Sequence, residues 1–204
     1  MKKFILALVA MVTMTFTTAS AMSYEQARQQ ALFLTDKMAY ELNLTDDQYE
    51  AAYETNLDYL MSVNTVDDLY GIYWRQRNMD LSYILLDWQY RTFINASYFY
   101  RPLYWDAGYW HFGIYARYPH RDYFFFGRPH FYVSYRGGHS WRMNGGRSWY
   151  HGRDFGGPRP EGHPRVGMRD GFNRGDFGRG QSFGNMNRNN GNLNRNNGQS
   201  FGNM

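Results

Sequence analysis

The chain has no cysteine among its 204 residues. That removes a disulfide framework, a cysteine nucleophile and an acylated-cysteine lipid anchor. Lysine is absent from Tyr40 onward, so the later cations are arginines and histidines. Proline first occurs at Pro102, which leaves the first half of the chain without the strongest helix breaker. No apolar run after the first 21 residues is long enough for a transmembrane helix. Aliphatic residues become rare beyond about residue 137, where Gly, Arg, Asn, His and Ser dominate.

What is present begins with an export signal. Lys2 and Lys3 supply a positive start, "FILALVAMVTMTF" an apolar run, and Ala19-Ser20-Ala21 a small-residue cleavage site before Met22. The alternative, an uncleaved anchor, would need about 20 apolar residues, and this run is shorter and interrupted by threonines. The expectation is an exported protein of the periplasm or surface of a Gram-negative bacterium. The net charge of +4 is unevenly spread: acids crowd the region from Glu25 to Asp87, and arginine and histidine the region after Arg91.

Helix signals follow at once. Ser23 and Gln26 have capping-box spacing, and Tyr24, Ala27, Ala31, Leu34 and Met38 then line one side of a helix running to about Leu42. Thr45 and Gln48 form a second box, with Asp46 and Asp47 at the positive end of the helix dipole. The helix they start runs to about Met61 and buries Tyr49, Ala52, Tyr53, Leu57 and Leu60. Thr65 to Asp68 repeats the signal and predicts a long helix from about Val66 to Ser97, or two helices if it breaks near Leu85. Its apolar and ring-bearing residues cover well over half its circumference, so it needs cover from neighbouring helices, the following segment, or a partner chain. The fold class is therefore mainly α: an antiparallel helical hairpin or small bundle of three helices, or four with the break, spanning residues 22–97.

Residues 98–136 are aromatic and β-favouring, divided by Gly and Pro into runs of strand length. Trp110 to Arg117, Tyr123 to Phe126 and His130 to Arg136 are the strand candidates, forming a small meander packed on the long helix. From Gly137 the composition reads as a disordered tail, 137–204, in which "QSFGNM" occurs at Gln181 to Met186 and again at Gln199 to Met204.

One internal echo is specific. "LTDDQY" at Leu44 to Tyr49 recurs as "LLDWQY" at Leu85 to Tyr90. Leu44-Thr45-Asp46-Asp47-Gln48 fits LTxxQ, and Leu85-Leu86-Asp87-Trp88-Gln89 is a second copy with Leu86 in place of Thr. In this the chain resembles the Spy/CpxP family of periplasmic proteins, over roughly Ser23 to Ser97. The resemblance implies a thin, curved helical cradle, often a homodimer, that holds unfolded proteins without ATP or restrains an envelope-stress sensor. Leu44, Thr45, Gln48, Leu85 and Gln89 would then organise the helices. Tyr73, Trp74, Tyr83 and Trp88 are the candidates for contact with a partner protein. The acidic, aromatic helices and the Arg/Gly tail differ from the basic, Met-rich surface of Spy.

The residues for catalysis are missing. Ser134 and Ser140 near His130 and His139 carry no elbow or triad context, and Asp46/Asp47 and Asp67/Asp68 serve helix starts. The six histidines all follow residue 110, about ten residues apart. His111, His120 and His130 are the candidate ligands for a loosely held Zn²⁺ or Cu²⁺, but no HxxxH pair exists, so no metal and no cofactor is expected. Arg-Gly with interleaved rings resembles RNA-binding segments, and export argues against nucleic acid. The expected function is a non-enzymatic envelope protein that binds exposed hydrophobic segments of unfolded or partner proteins, with anionic glycans or lipid head groups as further contacts of the Arg-rich tail. The rival is a structural or adhesive surface protein assembling through its aromatic, Arg- and Gly-rich region.

Overall fold

A computed structural model describes residues 22–156, 166–178 and 181–182. The predicted signal peptide, the second "QSFGNM" and the end of the first lie outside the described residues. Among those described, no helix is long and apolar enough to cross a membrane.

The protein is mainly helical. Helix α1, Tyr24–Glu41, starts at the predicted box: Ser23 Oγ accepts from Gln26 N–H and Gln26 Oε1 from Ser23 N–H. Helix α2, Asp46–Ser62, starts the same way at Thr45 and Gln48. A four-residue connection between them, Leu42 to Thr45, folds α1 and α2 into a hairpin, pinned inside by Asn56 Nδ2 donating to Thr35 Oγ1 at 2.8 Å. Ala27, Ala31, Leu34, Met38, Ala52, Tyr53, Leu57 and Leu60 are all buried between them, as their spacing predicts.

The predicted unbroken helix from Val66 to Ser97 is corrected. Thr65 and Asp68 close only a single 3₁₀ turn, Val66–Asp68. Helix α3 then runs Ile72–Ile84, and α4 Asp87–Asn95. Leu85 and Leu86 between them are extended, with ψ of 146° and 157°. Neither is a breaker, so the cause is tertiary: glutamine side chains take over the helix-end groups at this point, as described below. A short α5, Ser97–Tyr100, follows.

The aromatic segment is corrected as well. Strands β1, Leu103–Asp106, and β2, Tyr109–Phe112, pair antiparallel with Leu103 opposite Phe112 and Asp106 opposite Tyr109. Ala107 and Gly108 between them both have positive φ, 49° and 84°, the two-residue turn whose twist suits a hairpin. The predicted strand Trp110 to Arg117 ends at Phe112, because Gly113 opens a helical turn, α6, Ile114–Arg117. Of Tyr123 to Phe126 only β3, Tyr123–Phe124, is a strand, and it pairs with β4, Gln181–Ser182, rather than with a meander. His130 to Arg136 forms turns. Its backbone groups find side chains of the helices instead of a neighbouring strand: Tyr53 OH donates to Tyr132 O and Tyr24 OH to Tyr135 O.

The ordered chain also continues past Gly137, through Gly156 and again from Val166 to Gly178, where helix α7, Met168–Arg174, lies against α1. Tyr150 and Met168 are buried in the main core. Rings and hydrogen bonds supply there what the scarce aliphatics do not.

Candidate functional site

The two motif copies meet. Gln48 Oε1 accepts from Thr45 N–H at 3.0 Å, and Gln89 Oε1 from Leu86 N–H at 2.8 Å, so each glutamine closes its own helix start. Each also crosses over. Gln48 Nε2 donates to Ile84 O at the end of α3 (2.9 Å) and to Gln89 Oε1 (2.7 Å). Gln89 Nε2 donates to Leu42 O after α1 (3.0 Å) and to Gln48 Oε1 (3.1 Å). Both side chains are fully buried, and Leu44 and Leu85 pack beside them in the core. Each repeat thus satisfies an orphan carbonyl of the other repeat's preceding helix. Leu86 has no hydroxyl, so the α4 start lacks the second half of the box that Thr45 completes for α2.

The later segment is fastened to the helices by charge and hydroxyl groups. Glu50, Glu54 and Asp58 recur every four residues along one side of α2. His130 donates to Glu50 Oε1 from its backbone, and its Nδ1 lies 2.8 Å from the same oxygen. Glu54 Oε2 accepts from His139 Nδ1 (2.6 Å) and Tyr150 OH (2.8 Å), and Asp58 Oδ2 from Tyr135 OH (2.8 Å). On α3, Asp80 Oδ2 accepts from the Trp141 indole at 2.9 Å. Burial pushes Asp58 up to about 7 and Asp80 up to about 6, against the pull of these donors. The acidic front and the His/Arg-rich rear of the sequence are therefore complementary surfaces of one molecule.

A second fastening is deeper. The Asp36 and Lys37 side chains are both 0% exposed. Lys37 Nζ donates to Asp36 Oδ2 (2.8 Å) and to Tyr123 O (2.7 Å), with the rings of Phe33 and Phe125 within 5 Å. Asp36 also accepts from the Phe125 and Phe126 amides, at 3.0 and 2.9 Å. Burial pushes the carboxyl up and the ammonium down, and their mutual attraction opposes both shifts. Arg77 is buried without a carboxylate. It donates to Asn56 Oδ1 (2.8 Å) and Phe99 O (2.9 Å), and burial lowers it to about 10.

The four predicted contact residues divide into two pairs. The Trp74 indole donates to Tyr100 O at 2.8 Å, and Tyr83 packs edge-on against His151, so both hold this chain's own later segment. Tyr73 and Trp88 are exposed. The candidate metal ligands sit apart in different surroundings: His111 stacks on Tyr104, His120 lines a cavity with Tyr118 and Tyr123, and His130 faces Glu50. Among the described residues no three His, Asp or Glu side chains form a group that could hold a metal. Ser140 Oγ donates to Gly137 O, and Ser134 lies exposed in a turn.

Sequence reasoning missed Asp36, Lys37, Arg77 and the α2 carboxylates. Two signals were available: the only lysine after Lys3 lies next to an acid within the first predicted helix, and three acids recur at four-residue spacing. Comparison with family models, with curated proteins and with solved structures gives no match for this chain.

Proposed function

We propose that this is a non-enzymatic, exported envelope protein that binds exposed hydrophobic segments of other proteins through the outer surface of α3 and α4. The observation that carries it is a contrast in burial. The large apolar residues of α1 and α2 are covered except Met61, whereas α3 and α4 leave Ile72 at 51%, Met79 at 46% and Trp88 at 48% exposed, with Tyr73, Leu86 and Ile94 beside them in sequence. Apolar exposure on the helices favours association with apolar partners, and exposed Phe131, Val133 and Met143 of the later segment add to it. The interlocked pair of motif copies supports the Spy/CpxP-like part of this reading. The segment after Tyr98 covers much of the remaining helical surface, so the contact face is narrower than an open cradle.

The test follows a denatured client by light scattering with the mature protein, Met22 to Met204, at equimolar ratio. Suppression of aggregation is expected, and the triple variant Ile72→Ser, Met79→Ser, Trp88→Ser is expected to lose more than half of it while keeping its far-ultraviolet circular dichroism. Absence of suppression by the unmodified protein refutes the reading.

A further inference from the structure

A groove of about 480 Å³ lies between α5, the β1–β2 hairpin and α6, and two guanidinium groups, Arg101 and Arg117, line it. Arg101 stacks over the rings of Tyr70 and Trp74, at 5.1 and 5.9 Å from their centroids. Both rings are themselves pinned: Tyr70 OH donates to Leu103 O (3.1 Å) and the Trp74 indole to Tyr100 O. The Arg101 side chain makes no hydrogen bond within the described residues, so its fork of donors is free while its orientation is held. Such a fork suits planar, two-point recognition of an oxyanion.

Arg117 is the second donor. Its one carboxylate partner, Glu41, is reached at 3.5 Å through Nε alone. Glu41 already accepts the Tyr98 and Tyr118 hydroxyls at 2.7 and 2.5 Å, so it binds Arg117 loosely, and the Arg117 side chain stays 59% exposed towards solvent. With Glu41 included the groove still carries one net positive charge. Tyr98 and Tyr104 in its walls offer ring surface to whatever bears the anion.

We infer that this groove is a binding site for a phosphate monoester, held between the Arg101 and Arg117 guanidiniums. A phosphate dianion has oxygens enough for both forks, whereas a carboxylate fills only one. The volume exceeds that of phosphate alone, which leaves room for a glycerol or sugar unit against the tyrosines. The site is separate from the exposed α3–α4 residues and does not depend on them.

The test uses the mature full-length protein and glycerol 3-phosphate in calorimetry. Saturable binding is expected, weakened about tenfold by Arg101→Ala and by Arg117→Ala, as fits loss of a charge-assisted two-point contact. Glu41→Gln keeps an acceptor for one of the two tyrosines and removes the competing charge, so it is expected to tighten binding about threefold. Circular dichroism of each variant separates lost binding from lost folding. Co-sedimentation with vesicles containing phosphatidic acid, compared with phosphatidylcholine alone, assigns the phosphate to a lipid if Arg101→Ala abolishes it, and to a soluble ester if only glycerol 3-phosphate binds. No binding of either, or binding that Arg101→Ala and Arg117→Ala leave unchanged, overturns the inference.

Discussion

Replacing Asp36 by alanine is expected to destabilise the protein by about 3–5 kcal/mol, the scale seen when one member of a buried ion pair is removed. Three groups lose their partner at once. The Lys37 ammonium keeps only Tyr123 O, and the amides of Phe125 and Phe126 are left in the core without an acceptor. An unmet buried donor costs about 1–3 kcal/mol, and an unpaired charge costs more. Against a typical total of about 5–15 kcal/mol, such a loss is a large fraction of the stability of a small domain. The double replacement Asp36→Leu, Lys37→Met removes the charge along with its partner and is expected to be more stable than Asp36→Ala. Urea unfolding of the protein measures both. A cost below about 1 kcal/mol for the single variant would mean that Asp36 does not anchor the aromatic segment.

The second large effect is a fall in stability as pH rises from about 4 to about 7. Asp58 is pushed from the ordinary carboxyl value of 3.8 to about 7, and Asp80 to about 6, chiefly because burial disfavours the ionised form. The folded state then binds more protons than the unfolded chain between about pH 4 and pH 7. Stability is fully present below the unfolded value and declines as these groups ionise, by on the order of 4 kcal/mol for Asp58 alone. The groups that face them are Glu54, Tyr135 and each other for Asp58, and Trp141 and Ser148 for Asp80. Asp68 acts in the opposite sense: the Thr65 amide holds it below the usual range, and its contribution is lost only as pH falls below about 4. Urea midpoints are therefore expected to be higher at pH 5 than at pH 8, and Asp58→Asn is expected to flatten the difference by raising the midpoint at pH 8. A protein more stable at pH 8, or an unchanged slope in the variant, contradicts this account of α2.

These interactions show where local signals end. The two starts at Ser23 and Thr45 were legible, because a cap and its reciprocal partner lie three residues apart in the sequence, whereas the same signal at Thr65 closes only a single turn and α3 starts later, at Ile72. The helix start at Asp87 was ambiguous, since Leu86 cannot cap and nothing nearby breaks a helix. Only the meeting of Gln89 with Gln48, 41 residues away, resolves it. The strands were over-read for a related reason. Aromatic runs favour pleated surfaces, but from Phe125 to Tyr135 several backbone groups pair with the side chains of Asp36, Glu50, Tyr53 and Tyr24, and such partners carry no strand periodicity. The ordered chain beyond Gly137 escaped because its composition lacks aliphatics. Trp141, Trp149 and Tyr150 offset the chain entropy instead, through large ring areas and polar ends that reach Asp80 and Glu54. Of the contact candidates, ring content alone did not separate Trp74 and Tyr83, which serve the fold, from Tyr73 and Trp88, which face solvent.

At the centre of the account is the mutual lock of the two motif copies, which turns two helix pairs into one frame on which the aromatic segment is laid. A double-mutant cycle of Gln48→Ala and Gln89→Ala, followed by urea unfolding, measures that lock directly. Each single change removes both hydrogen bonds between the two glutamines and takes the side-chain donor from a helix-end carbonyl, so the two costs should overlap, with a coupling of about 1–2 kcal/mol. Costs that simply add, to within about 0.3 kcal/mol, would show that the two glutamines act independently and would contradict it.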